Sequence, residues 1–217
     1  MPRRQELLLI RHGQSTANEG GVWQGQMEFP LSDCGRWQAR CAGRALVHEA
    51  FEGLYSSPLG RALETAQIIA REVGFPGFDI VPVEGLMERH GGLLEGTTQA
   101  ERDALNPRLV EKLSGLPEEE RWKLVGAETD EAVLHRFERA ITDICARHNI
   151  GARIVAVTHG GAMRAFLRDR FGPDILPGAQ RAPNASFTRI RWDDAGRPHL
   201  VELASAEHLV AAAPSVE

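Results

Sequence analysis

The chain has 217 residues, 42% of them apolar and 25% charged, with a formal charge of −5. Those values fit a globular protein with one sizeable core, or at most two small domains. They exclude wholesale nucleic-acid binding, and no stretch approaches the roughly 20 apolar residues of a membrane span, so any anion has to be drawn by a local cationic pocket.

The opening MPRRQE is too polar, and the apolar run after it too short, for a signal peptide. A cytoplasmic location is expected. Leu7–Ile10 reads as a strand covered on both faces, and it stops at Arg11-His12-Gly13. A glycine-rich loop leads to LSDCGRWQARCAGRALVHEA, where Cys34, Trp37, Cys41 and Ala45 mark an amphipathic helix capped by Ser32 or Asp33. The three cysteines, Cys34, Cys41 and Cys145, lack metal-site spacing and are expected as buried small apolar residues in a reducing compartment.

Gly53–Ser57 reads as a short strand, followed by a helix with Pro58 just inside its start and Gly74 at its end. DIVPVEGLM is a short strand, placed at an edge or made irregular by Pro82. From Thr97 to Val125 the chain is polar, which suggests short helices and a loop inserted over the end of the sheet. ETDEAVLHRFERAITDICARHN is a long amphipathic helix with Val133, Phe137, Ile141 and Ile144 inward. Arg153–Thr158 is a second apolar strand, also ending in His-Gly, and a helix from about Ala162 to Arg170 follows. SFTRIRW and HLVELA alternate as an antiparallel pair turning at Asp194–Gly196, and the tail at 210–217 is expected to fray.

Strands separated by helices point to one domain over residues 1–217. The expected fold class is α/β: a three-layer α/β/α sandwich with a mostly parallel central sheet and an antiparallel C-terminal edge strand. Ligands in such folds sit beyond the carboxyl ends of the strands. There stand Arg11 and His12 on one strand and His159 on another, with Arg61 just after Ser56-Ser57-Pro58 and Glu88 after a further strand-like segment. If the two His-bearing strands are central and parallel, both imidazoles face one crevice.

Two arginines, two histidines and a carboxylate form an inventory for phosphoryl transfer. Arginine's fork fits phosphoryl oxygens and stays charged. A neutral imidazole can attack phosphorus, and nearby cations favour that neutral form. A glutamic acid can protonate the leaving alkoxide and later deprotonate water.

LLLIRHGQSTAN, SSPLGRALETAQ, ERHGGLLEG and VTHGG, in that order, resemble the signature segments of the histidine phosphatase superfamily, in its phosphoglycerate-mutase-like branch. The resemblance runs from about Leu7 to Arg164. It implies that His12 becomes phosphorylated, that Arg11, Arg61 and His159 clamp phosphoryl oxygens, and that Glu88 moves the proton. It places Asn18 and Gln24 in the phosphate pocket, adds Arg89 and Gly160 to the substrate contacts, and implies the same three-layer fold without metal or other cofactor. The expected partners are a small phosphorylated substrate and, at most, a second copy of the chain, with no nucleic acid and no membrane.

A zinc site built from His12, His90, His159 and Glu88 lacks ligand spacing, and two arginines would repel the cation. His90 is expected to be exposed or behind the site. Asn184-Ala-Ser186 fits a glycosylation sequon that means nothing without secretion, and Trp23, Trp37, Trp122 and Trp192 are expected to pack rather than to stack on ligand.

ERHGG resembles a mutase spelling, in which Arg89 would hold a carboxylate. Against a mutase, the tyrosine of that spelling is Gly91, the lysine downstream falls on Gln99, and the short stretch from Gly96 to Ala127 holds no paired arginines. Hydrolysis of a phosphomonoester is therefore the expected reaction, with mutase-type transfer, or a phosphate-binding module without catalysis, as alternatives. Arg89, Arg102 and Arg108 hint at an acidic metabolite.

Overall fold

The computed structural model describes residues 5–74, 79–105, 115–176 and 182–211. Arg108, and all but the first two residues of the 210–217 tail, lie outside them. Six strands form one sheet: β1 (Glu6–Arg11), β2 (Gly53–Ser56), β3 (Val81–Pro82), β4 (Arg153–Thr158), β5 (Phe187–Trp192) and β6 (Pro198–Ser205), in the order β3-β2-β4-β1-β5-β6. β1 to β4 are parallel, while β5 runs against β1, and the edge strand β6 pairs antiparallel with β5. The strand opposed to the first four is thus β5, one place in from the edge.

Among the described residues the α-helices are α1 (Thr16–Glu19), α2 (Asp33–Ala45), α3 (Gly60–Glu72), α4 (Gln99–Leu105), α5 (Glu118–Leu124), α6 (Asp130–Ala146), α7 (Gly160–Phe171) and α8 (Glu207–Ala211). The LLLI run feeds both cores, because successive side chains of a strand point to opposite faces. Leu8 and Ile10 pack with α2 and α3, through Ala42, Ala66 and Ile69. Leu7 and Leu9 pack with α6 and α7, through Phe137, Ile141, Met163 and Phe166. Each such fully buried side chain contributes about 1.5–3 kcal/mol. The result is the three-layer sandwich.

Several local readings need correction. The buried face of α2 is Gly35, Ala39, Ala42 and Gly43, with Cys41, whereas Cys34 and Ala45 are exposed and Trp37 half-buried. Small residues fill that face because α3 packs closely against Ala39, Ala42 and Gly43, and the chain leaving β1 crosses Gly35. Ser32 is the cap, accepting from the Gly35 N–H at 3.1 Å. Pro58 lies before the α3 start, whose cap is Leu59, and only Val81–Pro82 of DIVPVEGLM pairs as a strand, at the sheet edge. α7 begins at Gly160, two residues earlier than expected. The inward residues of α6 are buried as expected.

Pairing fixes the site's location. Arg11 pairs with Thr158 across β1 and β4, and Ser56 pairs with Val157 across β2 and β4, so three parallel strands end side by side. The chain leaving β1 stays bonded to its neighbour, with the His12 N–H donating to the Thr158 carbonyl at 2.9 Å. It then crosses the start of α2 so closely that a Cβ on Gly35 would lie 1.9 Å from the Gln14 carbonyl oxygen.

Candidate active site

A cavity of about 490 Å³ opens at these strand ends, walled in part by Arg11, His12, Asn18, Gln24, Arg61 and Glu88. His12 is buried to 2% exposure, and its Nδ1 lies 2.7 Å from the Gly13 carbonyl oxygen. A carbonyl accepts only, so Nδ1 carries the hydrogen and Nε2 holds the lone pair. Burial, then the Arg61 and Arg11 charges, push the His12 pKa well below its ordinary value, which keeps the ring neutral.

His159 sits beside His12, with ring centroids 5.0 Å apart. It is fully buried, and the planes of the two rings are tilted by 57°. Its Nε2 is 2.8 Å from the Ser57 hydroxyl, while Nδ1 has no hydrogen-bond partner among the described residues. Burial first, then Arg61, His12 and Arg11, hold its pKa well below the usual histidine value. The two strand-end imidazoles thus meet as expected, with His12 on the cavity wall and His159 fully buried beside it.

Arg61, in the first turn of α3, is 1% exposed and donates to the carbonyls of Met27 at 2.8 Å and Gly25 at 2.7 Å. Burial lowers its pKa, and Glu88, Glu28 and Glu95 act against that shift. Arg11 donates to the Ala182 carbonyl. Gly160 lies against the Arg11 side chain, where an added Cβ would be 3.2 Å from Nε, and Gly161 takes the expected place of Gly160 on the wall.

Glu88 is pinned at the N-terminus of α7. Its Oε2 accepts from the Gly161 N–H, and its Oε1 from the Ala162 and Arg89 N–H groups, all within 2.8–2.9 Å. An added Cβ on Gly161 would stand 2.5 Å from Oε1, so glycine is what lets the carboxylate approach. The three bonds occupy three of the carboxylate's roughly four lone-pair directions, leaving one on Oε2.

Asn18 and Gln24 form one amide and hydroxyl network with Ser15. Its hydroxyl donates to the Gln24 Oε1 at 2.8 Å, and the Asn18 Oδ1 also accepts from Asn184 at 3.1 Å. Arg89 lines the cavity, but its guanidinium donates to the Glu128 carbonyl and to Asp130 and lies 4.5 Å over the Trp122 ring. His90 is exposed.

Sequence reasoning missed several contributors. Arg136 of α6 donates to the carbonyls of Gly85, Met87 and Glu88 and to Glu128, fixing the strand-end segment that carries Glu88. Nothing local marks it, since it acts through partners some 50 residues away. Asn184 is no sugar site in this fold; its side chain donates to the His12 carbonyl at 3.0 Å. Trp23 and Trp122 line the cavity instead of merely packing, with Arg102 5.7 Å over Trp23. Arg164 and Arg168 also line it, and their four-residue spacing in a predicted helix could have disclosed them.

A neutral imidazole flanked by guanidinium groups at the strand ends of an α/β sandwich defines the class of enzymes that move phosphoryl groups through histidine. The model of the histidine phosphatase superfamily (branch 1) matches residues 7–205, and the chain belongs to that family. It is 34% identical over 211 residues to phosphoglycerate mutase-like protein 4 of Arabidopsis thaliana, covering 94% of this chain and 86% of that protein. It is 35% identical over 165 residues to a metal-independent phosphoserine phosphatase of the same plant, covering 75% of this chain and 68% of the relative. The solved structure of Bacillus stearothermophilus YhfR superposes with a TM-score of 0.80 at 28% identity, covering 94% of this chain and 99% of that one.

Proposed function

We propose that the chain hydrolyses small phosphomonoesters through a phosphohistidine on His12. The Nδ1 contact to Gly13 carries this reading, because it leaves Nε2 unprotonated and turned to chemistry. In the first step the Nε2 lone pair forms a bond to phosphorus as the ester P–O bond breaks. Glu88 gives its proton to the departing oxygen. In the second step Glu88 takes a proton from water, the water oxygen bonds to phosphorus, and the P–N bond breaks, returning the lone pair to Nε2. Arg11 and Arg61 stabilise charge on the phosphoryl oxygens throughout, the kind of preorganised electrostatics that dominates such catalysis. His159, packed beside His12, helps hold that ring in place and adds no positive charge.

Arg89 favours hydrolysis over mutase-type transfer. Its charge is already met by the Asp130 carboxylate, so it is poorly disposed to clamp a substrate carboxylate as a mutase would need. Arg61, by contrast, bonds to the neutral carbonyls of Met27 and Gly25 and keeps its charge for an incoming anion. We read residues 1–217 as one domain working in the cytoplasm without nucleic acid. Among the described residues no helix is long and apolar enough to cross a membrane.

The test is alkaline quench after rapid mixing with a phosphate-labelled ester. His12→Ala should abolish both protein-bound label and turnover. Glu88→Gln should slow turnover by about 10²–10⁴-fold, as expected for loss of a general acid, while p-nitrophenyl phosphate, with its good leaving group, still labels the protein. Undiminished turnover in His12→Ala would end the proposal.

A further inference from the structure

The carbonyl that keeps the hydrogen of His12 on Nδ1 belongs to Gly13, the kind of residue least able to hold it still. Glycine has no side chain to restrict its dihedrals, so the peptides on either side turn easily unless other groups grip them. Both are gripped, and from two different helices.

The first peptide, between His12 and Gly13, presents the Gly13 N–H to the Thr65 hydroxyl at 3.1 Å. That hydroxyl donates its one hydrogen to the Arg61 carbonyl, four residues back in α3, at 2.7 Å. Its lone pairs are thus what the Gly13 N–H meets, and Thr65 is fully buried. The second peptide, between Gly13 and Gln14, is planar and trans, so its N–H and C=O point in opposite directions. The Gln14 N–H donates to the Gln38 Oε1 of α2 at 2.8 Å, while the C=O faces the His12 Nδ1 at 2.7 Å. α2 holds the next carbonyl as well, since the Gln14 oxygen accepts from the Ser32 N–H at 2.9 Å.

The direction of the second peptide decides the chemistry of the ring. With the carbonyl toward Nδ1, the hydrogen stays there and Nε2 keeps its lone pair. Turned about, the peptide would offer the Gln14 N–H to Nδ1, which would then have to accept. The hydrogen would move to Nε2, and the nitrogen that attacks phosphorus would be blocked.

Resting on the phosphohistidine reading above, we propose that Gln38 and Thr65 are positioning residues, holding the peptides around Gly13 in the orientation that keeps the His12 Nε2 nucleophilic. Neither has to touch substrate, because both act through Gly13. The reactivity of His12 then depends on an amide of α2, a helix that carries none of Arg11, Arg61, Glu88 and His159.

Paired variants test this. Gln38→Leu and Thr65→Val each remove an acceptor, whereas Gln38→Glu and Thr65→Ser each keep one. One readout is the single-turnover rate of protein labelling by p-nitrophenyl phosphate. The other is histidine 15N NMR of the resting enzyme, which shows the ring nitrogen that carries hydrogen, with His12 assigned by its absence in His12→Asn. In Gln38→Leu and Thr65→Val labelling should slow by about ten- to a hundredfold with KM little changed, and Nε2–H should appear in His12. Gln38→Glu and Thr65→Ser should return both readouts toward wild type. If Thr65→Val does not fold, Gln38→Leu, at a half-buried position, carries the test. In an enzyme that labels, a slower rate with His12 still held as Nδ1–H, a tautomer shift without a slower rate, or neither change overturns the positioning role and leaves hydrolysis intact. A wild-type protein that no phosphomonoester labels, yet whose tautomer shifts in the variants, retains the positioning of His12 and removes the phosphatase reading instead.

Discussion

At the scale of single residues, the site depends on close approaches more than on the charged groups themselves. Glu88 is held in place by backbone donors of α7, and the room for it exists because residue 161 has no side chain. Gly161→Ala should therefore displace the carboxylate by a fraction of an ångström to an ångström and lower kcat by about 10²-fold, with the far-ultraviolet spectrum unchanged. Steady-state kinetics on a poor leaving group reads this directly; full activity would show that Glu88 does not need that seat. Arg11, His12, Arg61, Glu88 and His159 were legible in the sequence because each lies within a few residues of a strand end or helix start. Arg136, Asn184 and the two cavity tryptophans were not. Their roles come from partners distant in the chain, and a side chain's reach across a fold leaves no periodicity behind. His159 was legible in position from the strand, but its burial and its contact with Ser57 follow from packing.

Among the elements, α6 does two jobs with one end. Its N-terminal segment supplies the Glu128 carbonyl and Asp130 carboxylate that hold Arg89 beside the cavity. The same turn is closed by Thr129, whose hydroxyl accepts from the Ala132 N–H at 3.2 Å. Thr129→Ala should cost about 0.5–2 kcal/mol of stability, measured as a lower urea midpoint at constant slope, and an unchanged midpoint would rule out the cap. The order of strands and helices could be read from apolar runs and caps, and α6 was read in full because its inward residues are large. α2 was misread because its contact face is made of glycine and alanine. Hydrophobic patterning weighs bulky residues, whereas close helix packing selects small ones.

Across the whole molecule, acidity should act on the folded state before it reaches the carboxylates. His12 and His159 are held neutral by burial and by neighbouring cations, with pKa values well below their ordinary level. In the unfolded chain both titrate near 6.5. Below that pH the unfolded state takes up protons that the folded state refuses, so stability falls as pH falls, by at most about 1.4 kcal/mol per histidine per pH unit. Glu6 and Glu128 extend the loss further down. Burial raises each carboxyl, but Arg191 and Arg189 on Glu6, and Arg136 on Glu128, outweigh it and leave both below the usual 4.5. Urea midpoints should be constant above about pH 7.5 and decline steadily from 6.5 to 5, and His12→Asn with His159→Asn should flatten that limb. Equal midpoints at pH 7.5 and 5.5 would contradict the buried neutral pair.

The loop that frames His12 is tied to a segment far along the chain: the Ala185 N–H and the Asn184 amide both donate to the His12 carbonyl, and Arg11 reaches the Ala182 carbonyl. During synthesis, then, Arg11, His12, Arg61, Glu88 and His159 all leave the ribosome before the stretch that braces the first two of them. A nascent chain ending at residue 181 would own the complete reagent set without its bracing. The order of translation thus leaves the setting of His12 incomplete until the last strands arrive.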